Sequence, residues 1–345
     1  MYDGNGTLYP YQSFRKKISK IGTKIKGSVK TANVTLGKIL NVKNLGDLSA
    51  HAKADVIIRK AKYGGLGINI DSLGIDKLGF KGYNYKNIFA TGTYTQETFD
   101  GKIISHDPNL DLLFQGVATL SDIAEKSVYN FYADVPYIHL GALNLISNKD
   151  EGQMSLRAMA DITSKGKDVH GNIDIKNITY WGEEEYKFNS ISLASVFQEQ
   201  NYRLILNAPF VNADYQSTEH PRDFVSRIKG LILEKPRTLP YAKTDLDITT
   251  NGTEDILDIL MPELYLADST KIALHIGDND SLQFNISSDR IAYGNKSLKS
   301  LEMDLSNPDS LLVANIRSEV MTFGKGNLYD NTIDITSRDG IINLL

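Results

Sequence analysis

The feature that most constrains this chain is a two-residue alternation of apolar and polar side chains. From Leu110 to Leu120, one parity carries Leu110, Leu112, Phe114, Gly116, Ala118 and Leu120. The other carries Asp111, Leu113, Gln115, Val117 and Thr119. Successive strand side chains point to opposite faces, so the run reads as a half-buried strand with one mainly apolar face. Asp107-Pro108-Asn109 precedes it as a turn, since Pro fixes φ and Asp/Asn bond the local backbone. Strand-like runs at Ser127–Val135 and Tyr137–Leu145 follow, which makes the unit a meander. Asn201–Ala208 repeats the pattern, with Tyr202, Leu204, Leu206 and Ala208 against Arg203, Ile205 and Asn207.

Short strand-like runs fill most of the remaining chain. Before the meander they are expected at Ala54–Ala61, Leu66–Asp71, Lys77–Tyr83, Lys86–Thr93 and Gly101–His106. After it they follow at Met154–Thr163, Gly171–Ile178, Glu185–Ala194 and Gln200–Ala208, and again from Leu264 to Leu344. Glycine and Asn/Asp clusters separate them, as hairpins require. The clearest helix spans Pro221–Glu234, with Phe224, Ile228, Leu231 and Ile232 as its apolar positions and Pro236 and Pro240 beyond it. A second short helix is expected at Thr253–Met261, and Leu36–Leu45 reads as helix or turn. About 20 strands spaced about 4.8 Å apart would extend about 100 Å in one sheet. Twisted open sheets rarely exceed about 10 strands without curling or splitting. The sheet must therefore close into a barrel, fold into two layers or curl into a trough. Residues 1–240 form its first section, with the helix near 221–234, and residues 241–345 continue it.

Composition removes several function classes. The 345 residues carry a net charge of −4, which gives no global electrostatic case for nucleic acid. There is no cysteine, so no disulfide, thiolate metal site or thiol nucleophile can form. No window approaches the roughly 18 apolar residues that span a bilayer. The N-terminus lacks a cationic region followed by an apolar core, and the last run, Gly340–Leu345, is strand-like. Either the protein is cytosolic or the sequence is an internal piece of a longer chain, and the strand-like end favours the cut piece. Residues 14–36 are basic, with Arg15, Lys16, Lys17, Lys20, Lys24, Lys26 and Lys30. Phe14, Ile18, Ile21 and Ile25 have helical spacing, as on a membrane-surface helix. The alternation from Ile21 to Lys30, and Gly22 and Gly27, favour a strand instead.

Reaction chemistry finds no local support. The six histidines are scattered, with no i,i+4 pair and no HExxH. No GxSxG elbow occurs. Gly64, Gly65 and Gly67 lack the strand–loop–helix context of a phosphate loop and read as a hairpin turn. Asp245/Asp247 and Glu302/Asp304 lie two apart in strand patterns. That spacing is compatible with calcium or glycosidase work but is ordinary on a solvated sheet face. Trp181 beside Tyr180 offers a minor carbohydrate-binding reading. No catalytic residue, metal site or cofactor is assigned, and the chain reads as a non-enzyme.

The runs LGKILNVKNLG (36–46), FKGYNYKNIFATGTY (80–94), FDGKIISHDPNLDLLFQGVATLS (99–121) and ADVPYIHLGALNL (133–145) resemble the translocation and assembly module TamB family. The resemblance continues more loosely through GNIDIKNITYW (171–181) and EDILDILMPELYLA (254–267). It implies a mainly β fold: a long curled antiparallel sheet forming an open, taco-like β-groove, with a few short helices. It also implies kinship with the AsmA-like, bridge-type lipid transfer proteins. Such proteins are periplasmic and anchored in the inner membrane by an N-terminal helix. They carry phospholipid toward the outer membrane and assist outer-membrane protein assembly with a barrel partner. This sequence would be an internal fragment, with the anchor and the barrel contact outside it. Phospholipid acyl chains are then the expected partner, with neither nucleic acid nor metal. The expected groove lining is Leu110, Leu112, Phe114, Leu156, Leu204, Leu206, Leu282, Phe284 and Ile286. The alternative is a closed β-sandwich or barrel of the cell envelope that binds a ligand such as a glycan.

Overall fold

The computed structural model describes residues 14–18, 22–35, 37–38, 43–59, 65–120, 126–166, 168–232, 240–308, 311–338 and 341–344. Among the described residues the protein is mainly β: an antiparallel sheet that does not close into a barrel, accompanied by two short helices. The chain divides into two compact units, Met1–Asp168 with Ile173–Asn189, and Val169–Asn172 with Ser190–Leu345.

The strands of unit 1 begin with β1 (Phe14–Ile18), β2 (Gly22–Thr35), β3 (Leu45–Arg59) and β4 (Leu66–Phe80). Next come β5 (Tyr83–Tyr85), β6 (Ile88–Thr95), β7 (Thr98–Asp107) and β8 (Leu110–Thr119). β9 (Lys126–His139) and β10 (Gln153–Lys165) follow. Neighbours in sequence pair in space from β1 to β4, β6 joins β4, and the order then continues to β10. β11 (Asp168–Trp181) and β12 (Glu185–Gln198) contribute residues to both units.

Unit 2 continues from β12 through β13 (Asn201–Ala208), β14 (Val211–Ser217) and β15 (Thr244–Thr250). Then come β16 (Leu264–Leu266), β17 (Lys271–Ile276), β18 (Leu282–Tyr293) and β19 (Lys296–Ser306). β20 (Leu312–Phe323), β21 (Gly326–Arg338) and β22 (Ile341–Leu344) complete it. α1 (Pro221–Ile232) lies between β14 and β15, and α2 (Glu254–Leu260) lies between β15 and β16.

The hairpins explain how so many strands follow each other directly. Between β6 and β7 only Gln96 and Glu97 intervene, at φ 49° and 64°. Between β12 and β13 stand Glu199 and Gln200, at 51° and 67°. Positive φ at both central residues is the type I′ turn, whose twist matches the flanking strands. At the Asp107–Asn109 turn, the Asn109 amide donates to Asp107 Oδ1 at 2.9 Å.

The basic N-terminal segment is strand, as its alternation predicts: β2 pairs with β3 from Gly22↔Arg59 to Thr35↔Asp47. Several boundaries differ from expectation: β3, for one, begins at Leu45 rather than Ala54. Leu66–Asp71 and the Lys77–Phe80 part of the second run join in the single strand β4, Tyr83 opens β5, and the pairing of β4 with β6 shifts register between Ile70 and Leu73. Tyr137–Leu145 is not a strand: β9 ends at His139, and residues 140–143 form turns. Gly64 and residues 36 and 39–42 of the 36–46 run lie outside the described residues.

Candidate functional site

In each unit, register stacks apolar residues into rows that cross the strands. In unit 1, Val29, Ala52, Leu73, Ala90, Ile103, Phe114, Ala133 and Ala158 are direct cross-strand neighbours from β2 to β10. A second row on the same face runs Ile25, Val56, Ile68, Tyr94, Phe99, Ala118, Tyr129 and Ile162. Between them Gly92, Gly101 and Gly116 are consecutive cross-strand partners. A Cβ on Gly101 would stand 2.8 Å from Phe99 Cζ, so the glycines make room for aromatic rings. Phe114 lies 6.4 Å from Phe99 and 5.2 Å from Phe131, between ring centroids. Such offset aromatic contacts add to the apolar burial itself.

Leu110 and Leu112 share the parity of Phe114, and Leu156 pairs with Val135 on that same face. A polar cluster bounds it. Asp107, almost fully buried, accepts from Tyr83 Oη at 2.6 Å and from the Lys86 amide at 2.8 Å. Burial, and then the hydrogen bond to Asp107, push the Tyr83 phenol up to about 12. The 140–152 segment buries Leu143 completely, and its Asn144 donates to the Lys81 carbonyl at 3.1 Å.

Unit 2 repeats the plan. One row runs Leu193, Leu206, Ala213, Ile248, Ile272, Ile286, Met303, Ile316 and Ile333. From Leu206 onward every member is half-buried, so water reaches one side of an otherwise apolar stripe. Beside it runs Leu204, Tyr215, Leu246, Leu274, Phe284, Leu305, Ala314 and Ile335. Here α1 lies down: Phe224, Ile228 and Leu231 pack on the cluster of Leu274, Ile276, Leu282, Leu305 and Ala314. Phe224 meets Tyr215 edge-on at 5.3 Å. Arg227, 5% exposed, fixes the helix. Its guanidinium donates to Glu219 at 2.6 Å, to Asp280 at 2.9 Å and to the Pro240 carbonyl at 2.5 Å. The Glu219 bond is the main reason its pKa rises above the ordinary value.

The reverse face of unit 2 is a polar ladder. Asp214, Asp247, Ala273, Asn285, Asp304, Asn315 and Asp334 are successive cross-strand partners. Asn285 donates to Asp304 and Asn315 donates to Asp334. Arg203 forks onto Asp214 and holds its carboxyl below the usual carboxylate range. Asp245 bonds His275 at 2.6 Å, and Glu302 lies 3.9 Å from Arg317. The paired carboxylates noted in the sequence therefore sit on this solvated face.

The structure groups Leu110, Leu112, Phe114 and Leu156 on the unit 1 face, and Leu204, Leu206, Phe284 and Ile286 on the unit 2 face. Leu282 joins that second face but is 2% exposed and belongs to the core that α1 covers. Arg227 and the glycine row are not legible in the sequence. A lone arginine in an amphipathic helix gives no local signal, and the glycine row exists only once register is known. Among the described residues no helix is long and apolar enough to cross a membrane. No family model, no curated protein and no solved structure matches the chain.

Proposed function

We propose that the apolar faces of the two units hold phospholipid acyl chains, as a TamB-like segment of a lipid-transfer protein in the periplasm would. The observation that carries this reading is the row from Leu206 to Ile333, apolar at every strand it crosses and left half-exposed. A protein core would bury such a row, and leaving it to water forgoes roughly 25 cal/mol per Å² of apolar surface. An acyl chain would recover it, each buried CH₂ contributing about 0.8 kcal/mol. Rows of similar chemistry at successive strands offer near-equivalent positions, so a chain moves between them without a deep trap. The role is non-enzymatic and needs no cofactor. Of the closed β-sandwich or barrel weighed as the alternative, the barrel does not fit a sheet that stays open.

The test is native mass spectrometry of the purified chain for bound phospholipid, with Leu206→Glu and Phe114→Glu. Leu206→Glu is the cleaner variant, because Phe114 also supports the aromatic cluster. Both should lose bound lipid while circular dichroism still reports the sheet. Lipid retained in both variants at the wild-type level would overturn the reading.

A further inference from the structure

We infer that α1 is a built-in occupant of the unit 2 face, filling acyl-chain positions until the Arg227 latch releases it. This rests on the lipid-binding reading above. Phe224, Ile228 and Leu231 contribute to the apolar face what a bound chain would, packing, as Phe284 does, on the cluster that holds Leu274 and Leu305. The adjacent row through Ile272, Ile286 and Ile316 stays half-exposed, so α1 sets how much of the face a ligand reaches. The contact is released as one piece, because a single buried guanidinium gathers its acceptors from three separate segments. Glu219 precedes the helix, Asp280 lies between β17 and β18, and Pro240 leads toward β15. A buried ion pair adds little net stability to a fold, but removing one partner leaves an uncompensated charge. Such a bond suits a latch better than a girder. The outer side of α1 carries Val225, 57% exposed, so the helix has apolar surface on both sides.

The test uses the absence of native cysteine. Leu231→Cys places one thiol under the helix, and its maleimide labelling rate reports undocking. Palmitoyl-oleoyl phosphatidylglycerol bound per chain is counted by native mass spectrometry. Arg227→Met should raise labelling by roughly tenfold or more and increase the lipid count. Phe224→Asp with Ile228→Asp drives the helix off independently of Arg227 and should increase the count likewise. Unchanged labelling in Arg227→Met overturns the latch. Faster labelling with an unchanged or lower lipid count in both variants shows that α1 is a structural cap, and overturns the inference. If the wild type and the Leu206→Glu variant both bind no lipid, the functional reading itself has failed.

Discussion

Phe114 and Phe131 stand on neighbouring strands with ring centroids 5.2 Å apart, while Gly116, the direct partner of Phe131, has no side chain to separate them. Gly116 adopts φ 139°, and a Cβ there would meet the Asn130 carbonyl at 2.3 Å and Phe131 Cα at 2.6 Å. Both obstacles are backbone, so the strand has to shift to admit any side chain. Gly116→Ala should cost about 2 kcal/mol or more, read as a lower urea midpoint for unit 1. A loss below about 0.5 kcal/mol would show that the glycine row is not needed for the aromatic packing.

Two residues one row apart separate a core from an open face. Leu274 is 6% exposed in the cluster beneath α1, whereas Ile286 lies half-buried in the neighbouring row. Leu274→Ala should cost about 2–5 kcal/mol through lost transfer energy and a cavity. Ile286→Ala should cost about 1 kcal/mol, because much of its surface already meets water. Equal losses in urea unfolding of the lipid-free chain would mean that protein covers the second row.

Burial of the Tyr83 phenol, with its hydrogen bond to Asp107, predicts an alkaline sensitivity in unit 1. The folded phenol ionises near 12, against about 10 in an unfolded chain. Its contribution is complete below about pH 10 and is lost as pH rises through 12, on the order of 2 kcal/mol. Tyr83→Phe should remove that dependence, flattening stability between pH 10 and 12 relative to the parent. The same slope in both proteins would rule Tyr83 out as its source.

Alternation was sufficient to read the strand type and the face of most candidate residues. Tyr202, Leu204 and Leu206 announce their common side, and register in the structure keeps them there. Boundaries failed where register shifts break parity, as in β4 between Ile70 and Leu73. They also failed where a buried turn looks apolar, as at Leu143, whose burial comes from tertiary packing. β14 escaped notice because its residues from Asp214 to Ser217 hold few apolar side chains. The apolar positions of α1 were legible in Phe224, Ile228 and Leu231. Where they dock was not, because Asp280 lies 53 residues from Arg227. That distant contact turned Leu282 from expected lining into core.

The most direct test of the central claim asks which side of the sheet touches lipid. A photo-crosslinking amino acid is placed in turn at Leu204, Ile205, Leu206 and Asn207 on β13, and at Asn285, Ile286 and Ser287 on β18. Each variant is illuminated in vesicles of phosphatidylethanolamine and phosphatidylglycerol, and lipid adducts are counted by mass spectrometry. Adducts are expected at Leu204, Leu206 and Ile286, and few at Ile205, Asn207, Asn285 and Ser287. Adducts of equal yield at both parities, or none at either, would contradict the claim.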